Sequence, residues 1–122
     1  MHSDPISVLV VEDETLIRMS VVLDLEDAGF NVLEAGNTDE AISLLRTHPE
    51  IQALFTDIEI PGSMNGLSLA ATVHDRWPPI RIIVTSGRVR VFRRDLPADV
   101  KFCPKPYDNT QVISMLREMV AA

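Results

Sequence analysis

Apolar residues follow two alternating rhythms along this chain. Short, mostly apolar runs at Ile6–Val11, Asn31–Ala35, Gln52–Thr56, Ile80–Thr85 and Val100–Cys103 read as strands. Between them the apolar positions take helical spacing. Glu14–Ala28 carries Leu16, Ile17, Val21, Leu23, Leu25 and Ala28, with Gly29 as its stop. Thr38 is placed to cap a helix over Asp39–Thr47 that buries Ala41, Ile42, Leu44 and Leu45. Leu67–Trp77 reads as a helix ended by Pro78-Pro79, and Thr110–Val120 as a last helix with Val112, Ile113, Leu116, Met119 and Val120 inward. Pro61–Gly66 is a loop by composition. Gly87–Asp99 is the weakest stretch. Its core-type residues are Val89, Val91, Phe92 and Leu96, so a short or irregular fourth helix is expected there.

Strand alternating with helix predicts a parallel sheet covered on both faces. Right-handed crossovers then make the α/β, doubly wound fold the natural choice. No linker, repeat or low-complexity segment interrupts the 122 residues, so one domain over 1–122 is expected.

The strand ends carry the chemistry. Glu12 and Asp13 follow the first run, Asp57 follows the third, Ser86 closes the fourth, and Lys105 follows the fifth. In an open parallel sheet, ligands bind beyond the carboxyl ends of the strands. Three carboxylates there repel by roughly 1 to 4 kcal/mol per pair at ~4 Å. A hard divalent cation turns that cost into a site, and Mg²⁺ fits best, because it takes a few carboxylates and keeps several waters. A hydroxyl, an ammonium and a cation around one carboxylate suit phosphoryl transfer, with Asp57 as nucleophile. Pro104 and Pro106 stiffen the backbone on either side of Lys105. Taken singly, each residue has a plainer role. Acids favour helix N-termini, Asp57 suits a turn, and Lys105 suits a surface.

Charge narrows the partners. The net charge of −7 and a pI near 4.8 disfavour nucleic acid or an anionic membrane surface. Arg88, Arg90, Arg93 and Arg94 read as a solvated face. Cys103 is the lone cysteine and allows no internal disulfide, which suits a reducing, cytoplasmic setting, and its apolar neighbours predict a buried thiol. His2, His48 and His74 share no metal-ligand spacing. The N-terminus shows no signal-peptide pattern, and no apolar stretch reaches the length of a membrane span.

With these residues in order, the chain resembles the receiver domain of two-component response regulators, from about Ile6 to Val120. The matching residues are Glu12-Asp13, Asp57, Pro61, Gly66, Ser86-Gly87 and Lys105-Pro106. The resemblance implies a flavodoxin-like strand order 2-1-3-4-5, an order the general rules for doubly wound sheets already illustrate with a receiver. It implies that Asp57 takes a phosphoryl group from a sensor histidine kinase or a histidine phosphotransfer protein. Asp13, Asp57 and the backbone carbonyl of Glu59 would hold Mg²⁺ directly, and Glu12 through a water. Ser86 and Lys105 would hold the phosphate. Ser86 and Phe102 would form the switch pair, although a Phe in the last strand reads equally well as a core residue.

Some positions depart from the family pattern. The Gly62–Asn65 loop is one residue longer than is common and is placed to lie over the site. The interval between Ser86 and Lys105 is a few residues shorter than usual, which disturbs the fourth-helix, fifth-strand, fifth-helix face that many receivers use for output. Glu59 and Arg88 sit where the family tunes phosphate lifetime, and a Glu59–Arg88 pair across the site is expected to slow water entry.

The favoured class is a signalling module that catalyses only its own phosphorylation and dephosphorylation. The chain ends at Ala122, just past the last helix, so output through contacts with a downstream protein is expected, with a homodimer as one option. The competing classes are a phosphorylation-independent adaptor and a small Mg²⁺-dependent phosphatase with an aspartate nucleophile.

Overall fold

The computed structural model describes residues 5–87, 96, 97 and 99–121. The expected fourth helix falls on the segment between Gly87 and Asp99, most of which lies outside the described residues. Five strands form one sheet: β1 (Ser7–Val11), β2 (Asn31–Ala35), β3 (Ile51–Asp57), β4 (Arg81–Ser86) and β5 (Lys101–Pro104). Their order is β2-β1-β3-β4-β5, and every pairing is parallel. The described helices are α1 (Thr15–Asp27), α2 (Thr38–Thr47), α3 (Gly66–Arg76) and α4 (Asn109–Ala121).

The two faces follow from the two-residue period of strands. Val8 and Val10 of β1, Phe55 of β3 and Ile83 of β4 point to one side. There they bury Val21, Val22 and Leu25 of α1 and Val112, Leu116 and Met119 of α4. Leu9, Val11, Leu54, Ile82 and Val84 point to the other side, against Ala41 and Leu45 of α2 and Leu69, Ala70 and Val73 of α3. The doubly wound sheet and the 2-1-3-4-5 order are both as expected.

Two local readings change. The cap of α2 is Asn37, not Thr38. The Asn37 side chain accepts from the Glu40 N–H at 2.8 Å, and Glu40 Oε1 accepts from Asn37 Nδ2 at 2.9 Å. Thr38 is instead the first helical residue and is fully buried. Its N–H donates to the Pro61 carbonyl at 3.2 Å, and its hydroxyl meets the Met64 N–H. In α1, Leu16 and Leu23 share the helical spacing of the core residues but face outward, at 81% and 57% exposure, with Met19 at 49%. One side of α1 is thus an apolar surface.

Candidate functional site

The carboxyl ends of β1, β3, β4 and β5 converge at one edge. Glu12 is the first residue past β1, and its N–H donates to the Ala35 carbonyl at 3.0 Å. Asp57 ends β3 and Ser86 ends β4; they are 4% and 3% exposed. Lys105 follows β5, and its N–H donates to the Ser86 carbonyl at 3.0 Å. Gly66 starts α3 directly against the end of β3 at Asp57. A Cβ there would collide with the Asp57 carbonyl and come within 2.7 Å of Ile58 Cα, so only glycine lets the helix start so close.

Glu12, Asp13 and Asp57 each offer a carboxylate oxygen, and these oxygens lie within 4.8 Å of one another. Lys105 Nζ donates to Asp57 Oδ2 at 2.7 Å and to Glu12 Oε1 at 3.2 Å. Burial, followed by the hydrogen bond and charge of Asp57, pushes the Glu12 carboxyl up to about 7. Burial pushes Asp57 the same way, but hydrogen bonds from Lys105, Glu59 and Glu12 outweigh it and hold Asp57 below the ordinary aspartate value. Lys105 is held firmly protonated. Burial works against its charge, and the Asp57 and Glu12 contacts overcome that.

Glu12 Oε2 is buried with no hydrogen-bond partner among the described residues. An orphaned buried carboxylate oxygen beside two further carboxylates suits an oxygen-seeking cation. The acidic group can therefore hold a metal, with Asp13 as its exposed member.

The sheet edge gathers Glu12, Asp13, Asp57, Ser86 and Lys105 as expected. Glu59 joins it differently. Its N–H donates to Asp57 Oδ1 at 3.1 Å, and its carboxylate accepts from Ser86 Oγ at 2.7 Å. The expected Glu59–Arg88 pair involves a residue outside those described. The longer loop makes its contacts with the start of α2: Ser63 Oγ donates to Asp39 Oδ1 at 2.7 Å, and Gly62, at φ 129°, packs on Thr38. Phe102 is partly buried against the α2/α3 side of the core, opposite Val84. Cys103 is buried, and burial raises its thiol pKa.

Two residues went unnoticed in the sequence. Tyr107 packs edge-on to Phe55, with ring centroids 5.5 Å apart, and lines a cleft of about 590 Å³ with Leu16, Ile17, Lys105 and Pro106. Arg18 grips the carbonyl of Glu12 at 2.6 Å. A lone tyrosine after Pro106 and a single arginine in a helix carry no sequence signal of their own. Only the six-residue step from Glu12 to Arg18 hints that the arginine can reach back.

Comparison with known proteins agrees with this geometry. Residues 8–117 match the response regulator receiver domain family. The sensor kinase CckA of Brucella abortus is 35% identical over 118 residues, covering 93% of this chain and 12% of that protein. A putative NtrX-like response regulator of Rickettsia bellii is 30% identical over 116 residues, covering 92% of this chain and 24% of its own length. The chain thus spans a quarter or less of these two relatives. The receiver protein CpdR of Brucella abortus is 30% identical over 118 residues, covering 94% of this chain and 97% of CpdR. A crystal structure of a response regulator receiver protein from Sinorhizobium medicae WSM419 superposes with a TM-score of 0.89 at 23% identity, over 98% of this chain and 97% of that one. No helix among the described residues is long and apolar enough to cross a membrane. Family match, relatives and fold agree, and this chain belongs to the response regulator receiver domains of two-component signalling.

Proposed function

We propose that Asp57 is the phosphoacceptor and that the donor is a phosphohistidine on a sensor histidine kinase or a histidine phosphotransfer protein. The observation that carries this is the state of Asp57. It is a buried carboxylate at a strand end, kept ionised by Lys105 at 2.7 Å and grouped with Glu12 and Asp13. An ionised carboxylate is the nucleophilic form. An Asp57 oxygen forms the new O–P bond as the N–P bond of the donor breaks. The released imidazole nitrogen takes a proton from solvent. Lys105 can shift its hydrogen bond onto the arriving phosphoryl oxygens, and the Ser86 hydroxyl can donate to another. Glu12, Asp13, Asp57 and the Glu59 carbonyl would hold Mg²⁺, which supplies charge neutralisation for the transferred group when bound.

The exposed apolar stripe of α1 and the adjoining cleft at Lys105–Tyr107 border the site and suit a protein donor better than a small one. Residues 1–122 act as one receiver unit in the cytoplasm, where Cys103 stays reduced, and signal by protein contacts.

The test is the intact mass after incubation with a small phosphodonor, with and without Mg²⁺, beside Asp57→Asn. A gain of one phosphoryl group that needs both Mg²⁺ and Asp57 is expected. A gain that survives Asp57→Asn would refute the assignment. So would failure of a beryllofluoride analogue to bind.

A further inference from the structure

Arg18 lies one turn into α1, with its side chain 20% exposed. It does not point at the acids' side chains. One guanidinium N–H donates to the main-chain carbonyl of Glu12 at 2.6 Å, while Nε donates to Glu34 Oε1 on β2 at 2.9 Å. Gly36 leaves room for this arrangement: a Cβ there would sit 3.3 Å from the Arg18 guanidinium nitrogen, tighter than side chains normally pack.

The Glu12 carbonyl has few other ways to be satisfied. The pairing of β1 with β2 ends at Val11 and Ala35, and Glu12 lies just beyond it. Its N–H is held by the Ala35 carbonyl. Arg18 supplies the matching grip on the other end of the residue. The N–H belongs to the Val11–Glu12 peptide and the C=O to the Glu12–Asp13 peptide, so the two bonds hold the units on both sides of the Glu12 Cα and restrict rotation of the Glu12–Asp13 peptide. That peptide sets where the Glu12 and Asp13 carboxylates begin, and both belong to the acidic group around Asp57. A planar, forked donor is suited to serving two fixed acceptors at once, which an ammonium does less well.

We propose that Arg18 is a positioning residue for the cation site. It fixes the Glu12–Asp13 peptide from behind and so sets the affinity of the acidic group for Mg²⁺, and Glu34 both orients the guanidinium and offsets its charge. The inference rests on the Mg²⁺ reading above. It makes a prediction opposite in sign to simple electrostatics. Arg18 is a cation beside a cation site, so by charge alone its removal should tighten Mg²⁺ binding. If it acts by positioning, removal weakens binding.

The experiment is calorimetric titration of Mg²⁺ into the metal-free full chain, Arg18→Gln and Arg18→Lys, with thermal unfolding of each in chelator. Both variants should bind about tenfold more weakly, the lower range for lost outer-shell support. Arg18→Lys keeps the charge and the aliphatic stem, so it carries the test if Arg18→Gln does not fold. A merely structural role would lower the unfolding temperature and leave the affinity of folded molecules unchanged. Mg²⁺ binding by the variants as tight as, or tighter than, that of the parent would overturn the inference alone. A parent chain that binds no Mg²⁺ would overturn the metal reading and this inference with it.

Discussion

Glu12→Gln should make the metal-free protein more stable at alkaline pH than its parent. Glu12 is 5% exposed and shares its pocket with Asp57. Burial and that neighbour raise its carboxyl from the ordinary 4.5 to about 7. A raised carboxyl pKa means that the folded state binds the proton more tightly. The stability it contributes is fully present below the unfolded value and is lost as pH rises through the folded one. Between about pH 5 and about pH 8 the linkage integrates to a loss on the order of 2 kcal/mol. Asp57 adds no slope in this range, because its pKa is lowered and it is ionised in both states. A Coulomb estimate agrees in scale. Two carboxylates ~5 Å apart repel by about 3 kcal/mol at an effective dielectric near 20, before the offset from Lys105.

Glutamine keeps the acceptor for Lys105 and removes the ionisation. The assay is urea unfolding in chelator, followed through Trp77, the single tryptophan, which packs against the α2/α3 core. The midpoint of the parent, taken relative to Glu12→Gln, should fall by about 1 M urea across the window. Saturating Mg²⁺ should flatten the difference. Parent and variant curves that run parallel from acid to alkaline pH would show that Glu12 is not the titrating group and would refute the reasoning.

Three further outcomes are expected. Gly66→Ala should cost about 1 to 3 kcal/mol by overpacking against the Asp57 carbonyl and Ile58, and should also lower phosphorylation, read by unfolding and intact mass together. Asn37→Ala should cost about 1 kcal/mol through loss of the α2 cap, with phosphorylation from a small donor unchanged. Leu16→Glu should slow transfer from a phosphohistidine protein by about tenfold, as expected for loss of an apolar anchor. It should leave small-donor phosphorylation and the unfolding temperature as they are, because Leu16 is 81% exposed.

The sheet and its acidic edge were legible because β1, β3 and β4 are mostly apolar runs, each cut off by a polar or acidic residue. Burial demands the first and the sheet edge permits the second. Asp57, Ser86 and Lys105 therefore fell at strand ends before any contact was known. What sequence could not separate were residues with the same local chemistry but different surroundings. Asn37 and Thr38 are both good caps, and the choice between them is made by the Pro61–Met64 loop, which claims Thr38 from far along the chain. Leu16 and Leu23 match the spacing of Val21 and Leu25, yet only the sheet determines which of them is covered. Arg18 carries no sequence signal of its own, and its role emerges only where β2 brings Glu34 beside it.

A serine hydroxyl has one hydrogen to give. In this structure Ser86 gives it to Glu59. A phosphoryl oxygen on Asp57 that recruits the same hydroxyl must take it from the carboxylate, and Glu59 then holds one donor fewer than before. The two acceptors exclude each other, so the resting arrangement competes with the phosphorylated one rather than merely preceding it. If Asp57 is the phosphoacceptor as proposed, the hydrogen of a single side chain would work as a two-position selector, with Glu59 as the counterweight against which phosphorylation must pull.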